Sequence, residues 1–191
     1  MTTSRTPPDR LQLHDLEFRP CISRQRIQRR TQELAGEVDA YLGLVAEPEA
    51  TPLVLGVLNG AAIFHADLVR GMQRVVELGY LSTSSYEGTR STGQIKCNWP
   101  DGLELRGRHV LLVEDIVDTG RTLAYLRTAC RERGAATVAC AVLLDKSAAR
   151  EVDVAVELTG FQVPNVFVVG CGLDYRGLGR QLPDLYERVV V

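Results

Sequence analysis

The sequence predicts an α/β domain, with a mostly parallel central sheet flanked by helices. Three observations carry that expectation. Near-continuous apolar runs of strand length recur, as in "PLVLGVL", "HVLLV" and "TVACAVLL". Strands buried on both faces read this way. Helical spacing follows two of those runs after a short turn, the β-then-α alternation of a parallel sheet with crossover helices. Polar or charged residues stand at four separate strand ends: Asn59-Gly60, Glu114-Asp115, Lys146 and Asp174. A polar turn alone means little, but open α/β sheets bind ligands at the carboxyl ends of their strands. Four such ends together point to one pocket.

The elements follow in order. Residues 1–20 are polar, carry Pro7, Pro8 and Pro20, and are expected to run flexibly over the surface. From Ser23, an N-cap residue type, the pattern turns helical. Ile27, Thr31, Leu34, Val38, Tyr41 and Val45 lie three or four apart. "TPLVLGVLNGAAIFHADLVRGM" reads as a buried strand, a tight Asn59-Gly60 turn and a helix. "VVELGYLSTSSY" reads as a strand and "EGTRSTGQ", without apolar spacing, as a loop. "GRHVLLVED" is a strand, and Leu123, Leu126 and Cys130 begin a helical stripe after the next turn. "ATVACAVLLDK" and "NVFVVGCG" are expected as further strands of the same sheet. No repeat or low-complexity segment interrupts this order.

Bulk properties narrow the function classes. The 191 residues suit one domain, spanning 1–191, and fall short of two full ones. Hydrophobic content of 45% and charged content of 24% are those of a globular protein in water. A net charge of -2 gives no electrostatic case for nucleic acid or an anionic membrane surface. No apolar run approaches the roughly 20 residues of a membrane span, and the first residues lack a signal peptide's apolar core. Five cysteines without a C-x-x-C pair argue against a disulfide framework or zinc site, and for inert thiols in a reducing cytoplasm. His65 and His109 are expected at the surface, and Trp99 as a packing residue beside a turn.

The informative stretch is "VLLVEDIVDTGRTL", residues 110–123. After the strand, the chain turns into a helix, so backbone N–H groups of residues 118 to 122 converge near the positive end of the helix dipole. Thr119 and Thr122 add hydroxyls, and Gly120 permits close approach. That is the physics of a phosphate cradle, although the Walker spacing is absent. A cradle for phosphate repels acids, yet Glu114 and Asp115 precede it. The combination fits a ligand that also carries vicinal hydroxyls, which two carboxylates accept from directly or through a hydrated divalent cation. The simpler reading is an N-capping Asp118 with solvated neighbours. Asp-Thr-Gly also occurs in aspartic proteases, but those are all-β, and a helical stripe follows here.

The same stretch resembles the phosphoribosyl pyrophosphate motif of type I phosphoribosyltransferases, in the long form of the hypoxanthine-guanine branch. Four further segments are similar to the family's in the right order. "VLGVLNGAAIFHADLVR" looks like the pyrophosphate loop and its helix, and "SSYEGTRSTGQIK" like the mobile loop, with Ser85 and Tyr86. "LLDK" looks like the strand ending in the purine-binding lysine, and "FVVGCGLDYRGLGRQLPDLY" like the C-terminal purine and metal segment. The xanthine-preferring bacterial branch has a shorter central motif and lacks this tail.

The resemblance implies the type I phosphoribosyltransferase fold, with a small hood from about residues 1–25 and 150–191. It implies transfer of a phosphoribosyl group from phosphoribosyl pyrophosphate to hypoxanthine or guanine, with magnesium, by a homodimer or homotetramer. Glu114 and Asp115 would hold the ribose hydroxyls through magnesium or water. Asp118 would be the general base beside purine N7. Asp118, Thr119, Gly120, Arg121 and Thr122 would cradle the 5-phosphate. Leu58, Asn59 and Gly60 would form the pyrophosphate loop, where the family often has a cis peptide. Lys146 would donate to the 6-oxo group, Phe167 would stack on the purine, and the Val168 backbone would read its edge. Asp174 would border the purine and bind a second magnesium, with Arg180 on the pyrophosphate. Two departures stand out: Asn59 replaces a common lysine, and Arg121 a lysine or leucine. The alternative from another class is a catalytically weak regulator that senses nucleotide with the same fold.

Overall fold

The computed structural model describes residues 9–85 and 95–190. In chain order the strands and helices are β1 Leu11–Leu13, β2 Leu16–Ile22, α1 Arg24–Val45, β3 Leu53–Leu58 and α2 Ala62–Gly71. Then come β4 Glu77–Ser85, β5 Ile95–Asn98, β6 His109–Val117, α3 Arg121–Glu132, β7 Thr137–Asp145, β8 Leu158–Gln162, β9 Val168–Val169 and β10 Leu185–Arg188. The loop reading of "EGTRSTGQ" and the Tyr86 assignment lie outside the described residues.

Six strands form the main sheet in the order β5-β4-β3-β6-β7-β8. All its pairs are parallel except β4 with β5. Alternation along the strands divides the core between the two faces. Val54, Leu111, Val113, Ala139, Ala141 and Leu143 pack with Leu34, Val38 and Leu42 of α1 and Phe64 and Leu68 of α2. Leu53, Leu55, Val110, Leu112, Cys140 and Val142 pack with Leu123, Leu126 and Cys130 of α3. Each fully buried Leu or Val contributes about 1.5–3 kcal/mol, so a sheet covered on both faces is strongly held. Ser23 caps α1, its side chain accepting from the Arg26 amide at 3.5 Å.

A second, antiparallel sheet has the order β1-β2-β10-β9 and its own small core of Leu13, Phe18, Val169 and Tyr186. It corrects two expectations. Residues 11–22 are not a loose surface strap: they pair as β1 and β2, with Phe18 fully buried. Within "NVFVVGCG" only Val168–Val169 is a strand, and it pairs with β10 rather than joining the main sheet. Residues 158–162 in turn belong to the main sheet as β8. The C-terminal part of the hood therefore starts after Gln162 and not near 150.

His65 and His109 are buried, not at the surface. His109 reaches the Thr137 hydroxyl at 3.0 Å and Glu47 at 3.3 Å. Trp99 packs against the α3-side core, with the Arg133 guanidinium 4.4 Å over its ring. All five cysteines are free. Burial raises the thiol pKa to about 11 at Cys21 and Cys97, and to about 12 at Cys130 and Cys171.

Candidate active site

β3 connects to its neighbour β4 on one side, while β6 and β7 continue the sheet on the other. The ends of β3 and β6 therefore meet where the strand order reverses, the place where such sheets leave a crevice. A cavity of about 230 Å³ opens there. Leu58, Gly60, Glu114, Asp115, Asp118, Thr119, Gly120 and Thr122 line it, together with Thr83 near the end of β4. Thr83 was invisible as a site residue in the sequence, because "STSSY" carries hydroxyls at every position and singles none out.

The floor is built from close backbone approaches. The Leu58–Asn59 peptide is cis. Gly60 lies on Asp115: a Cβ there would overlap the Asp115 carboxylate. Gly172, with φ of 103°, lies against the Gly60 carbonyl in the same way. Neither contact tolerates a side chain, so the β3 turn, the acid pair and the 170s segment are locked face to face. Gly120, with φ of 83°, starts α3, and the backbone turns there into the helix N-terminus.

The two acids differ in their surroundings from ordinary surface carboxylates. Glu114 is 6% exposed, and burial together with Asp115 pushes its pKa well up. Burial also raises that of Asp115, against the pull of the Ile116 amide, which donates to it at 2.9 Å. Arg180 and Asp174 act on Asp115 with opposite sign, so the acid pair and the C-terminal segment share one electrostatic neighbourhood. Arg180 pairs with Asp174 at 2.7 Å and donates to the Gly172 carbonyl at 2.6 Å. Asp174 also accepts from the Gly177 amide at 2.6 Å.

Lys146 is buried, and its ammonium lies 3.1 Å from the half-exposed Asp118 carboxylate. The end of β7 thereby reaches the loop after β6. Arg121 points outward and pairs with Glu151 at 2.7 Å, both half-exposed. Phe167 and Val168 stand in the hood. Phe167 is 42% exposed, and its ring contacts among the described residues are Phe18 and Tyr175. Val168 is buried in β9. Ser85 ends β4. The strand ends and the C-terminal segment thus bring together Glu114, Asp115, Asp118, Lys146, Asp174 and Arg180.

Among the described residues no group of three or more His, Cys, Asp or Glu is arranged to hold a metal ion alone. The acid pair instead fits a hard divalent cation of the magnesium type, which takes one or two carboxylates and completes its shell with water and substrate oxygens. A cation would also remove the repulsion between two poorly solvated carboxylates.

Comparison with known proteins agrees with this geometry. Residues 25–176 match the phosphoribosyl transferase domain family. A hypoxanthine-guanine phosphoribosyltransferase of Bacillus subtilis is 40% identical over 172 residues, 89% of this chain and 92% of the relative. Its counterpart in Lactococcus lactis is 42% identical over 164 residues, 85% and 86% of the two chains. A solved Trypanosoma cruzi hypoxanthine phosphoribosyl transferase superposes with a TM-score of 0.82 at 30% identity, covering 94% of this chain and 95% of that one. No helix among the described residues is long and apolar enough to cross a membrane. The chain belongs to the phosphoribosyltransferase family, among its hypoxanthine-guanine members.

Proposed function

We infer that the strand-end cavity transfers a phosphoribosyl group to hypoxanthine or guanine, with named residues in named roles. The activity is that of a purine-salvage transferase: 5-phospho-α-D-ribose 1-diphosphate and the base give the nucleoside monophosphate and diphosphate. The observation that best supports the residue roles is the convergence of an acid pair, an amide-lined loop and the Lys146–Asp118 pair on one cavity.

The amides of residues 118–122 and the hydroxyls of Thr119 and Thr122 hold the 5-phosphate at the α3 N-terminus. Glu114 and Asp115 lie at the ribose hydroxyls. They would hold a magnesium ion, which would supply charge neutralisation on the diphosphate. Arg180 and the turn Leu58, Asn59 and Gly60 accept the leaving diphosphate, and Asp174 completes that side of the site. Asn59 supplies polar groups there without charge, so Arg180 is the cationic side chain in that role. Phe167 and the Val168 backbone receive the purine from the hood.

The anomeric carbon loses its bond to diphosphate oxygen with the electron pair, through an oxocarbenium-like state. A purine ring nitrogen forms the new bond to that carbon, and the proton on the imidazole ring passes to Asp118. Lys146 donates to the 6-oxo group. The Lys146 ammonium lies 3.1 Å from the Asp118 carboxylate, so one cation stands beside both the base's oxygen and the proton acceptor.

Coupled measurement of diphosphate release with hypoxanthine, guanine and xanthine side by side tests the reading. Turnover is expected with hypoxanthine or guanine. Diphosphate release with none of the three would overturn it.

A further inference from the structure

The stretch "DKSAAREV", from the last residue of β7 onward, lies behind the phosphate loop and takes up three consecutive carbonyls, those of residues 117 to 119. The Val117 carbonyl accepts from the Lys146 amide at 3.0 Å and from Arg150 Nη1 at 2.6 Å. The Asp118 carbonyl accepts from the same Nη1 at 2.6 Å. The Thr119 carbonyl accepts from the amides of Glu151 and Val152 at 3.0 and 3.1 Å. A trans peptide is planar, with its C=O and the next N–H pointing opposite ways. Three carbonyls drawn backward therefore aim the amides of Asp118, Thr119 and Gly120 forward, toward the cavity that these residues line.

Arg150 is the one side chain in this clasp. Its side chain is 17% exposed, and its other arm bonds to the buried Asp145 carboxylate. Asp145 is held in turn by Gln162 Nε2 at 2.7 Å. A rigid, planar fork suits such a clasp, because one nitrogen spans two carbonyls while the second is fixed by a carboxylate. We propose that Arg150 is a positioning residue for the reaction, setting the amides of the phosphate loop by holding the loop's carbonyls from behind. It touches no substrate in this role. Its cationic head also polarises the peptide groups it binds, which strengthens the amides as donors on their far side.

The proposal rests on the phosphoribosyltransferase reading of the cavity and sharpens the place of the 5-phosphate within it. Two variants test it. Arg150→Met keeps the length and loses all five donors. Arg150→Lys keeps the charge and fold-compatible bulk but cannot span two carbonyls and a carboxylate at once. The paired ligands are inosine 5′-monophosphate and inosine, which differ by the phosphate alone, measured by calorimetry beside steady-state kinetics.

For Arg150→Met, affinity for the monophosphate should fall by about tenfold or more, as expected for sub-ångström loss of alignment in a preorganised site. Inosine affinity should stay within about twofold, and KM should rise for phosphoribosyl pyrophosphate but not for hypoxanthine. Arg150→Lys should show the same split at smaller amplitude, which keeps the test open if the Met variant does not fold. A lower melting temperature with an unchanged monophosphate-to-inosine affinity ratio in the Lys variant would overturn the proposal and leave Arg150 a purely structural brace. Wild-type protein that turns over no purine would instead overturn the functional reading beneath it.

Discussion

The loop at 117–122 and the acid pair at 114–115 are neighbours in sequence, yet they satisfy their polar groups in opposite ways. In the loop every carbonyl from Val117 to Thr119 has a donor, and Asp118 has Lys146. In the acid pair, Glu114 sits buried beside Asp115 with its pKa pushed well up, and Asp115 accepts from the Ile116 amide. The fold finishes one region and leaves the carboxylates of the other crowded, which is where the proposed ligand would act. Preorganised donors cost nothing at the moment of reaction. Crowded buried acids, by contrast, store a cost that binding relieves. Stability and function are thus divided between two adjacent stretches of one strand and its turn.

The largest expected effect lies on the finished side. Asp118→Asn keeps the loop's backbone bonds, because those involve carbonyls and not the side chain. It should slow turnover by roughly 10²- to 10⁴-fold, the range of a positioned general base. The affinity for phosphoribosyl pyrophosphate should hold. Single-turnover kinetics with titrated substrate reads both, and unchanged turnover would remove Asp118 from the chemistry.

The unfinished side is broken by Glu114→Gln combined with Asp115→Asn. Each close pair of like charges costs about 1 kcal/mol or somewhat more. The ligand-free double variant should therefore melt no lower than wild type, and higher at neutral pH. The sign follows from the raised pKa values. A carboxyl whose folded pKa is raised adds stability below its ordinary titration range, and that stability is lost as pH rises through the folded value. The gap between variant and wild type should hence open as pH climbs. The same variant should lose most of the thermal shift given by phosphoribosyl pyrophosphate with magnesium, about 2.7 kcal/mol for wild type at a hundredfold excess over Kd. Melts with and without ligand decide it; a destabilised variant with its full shift would reverse the comparison.

Lys146→Ala tests the link between the two chemistries. The 6-oxo group would lose its donor, for about 1–3 kcal/mol of base binding. Asp118 would lose its cation as well. Hypoxanthine affinity should fall while 5-phosphate binding holds, as titration with base and with phosphoribosyl pyrophosphate would show.

The sequence made much of this legible, for a physical reason that also explains the gaps. Buried strands such as Leu53–Leu58 and Thr137–Asp145 announce themselves, because both faces must be apolar. The polar and charged residues at their ends stand out against that background. β8 does not stand out: "LTGFQ" is mostly half-buried and carries a glycine, Gly160, packed on the Leu143 backbone. β2 hides for a similar reason, since Pro20 and polar neighbours mask Phe18 and Ile22, whose partner β10 is more than 160 residues away. "NVFVVGCG" misleads in the other direction: its apolar run is spent on the hood and its junction with the core rather than on a strand of the main sheet. Arg150 looks like an ordinary solvated arginine in a polar turn. Only its contacts, to carbonyls about 30 residues earlier, reveal the clasp.

His65 sharpens the comparison with the smallest effect, because it is unfinished without being in the site. Its ring is fully buried on α2, 4.8 Å from the Tyr80 ring and close against Gly56. Neither ring nitrogen makes a well-formed hydrogen bond among the described residues, although the Val54 backbone is close enough to pull weakly against the effect of burial. Burial lowers its pKa below the usual histidine value. A lowered folded pKa means that the unfolded chain takes up the proton first. Wild-type stability is then fully present above about pH 6.5 and falls as pH drops toward the folded value, by at most about 1.4 kcal/mol per pH unit. His65→Phe removes the unpaired nitrogens and the titration together, and Tyr80, 41% exposed, has room to shift for the larger ring. The variant should gain on the order of 1 kcal/mol at neutral pH, and its advantage should widen as pH falls from about 7 to about 5. Turnover and the ligand-induced shift should stay as in wild type, because no ligand group completes this ring. Denaturant titrations across that pH range measure the gap. A gap that narrows with acid would mean that the buried imidazole is charged and partnered, and an altered ligand shift would place His65 inside the site after all.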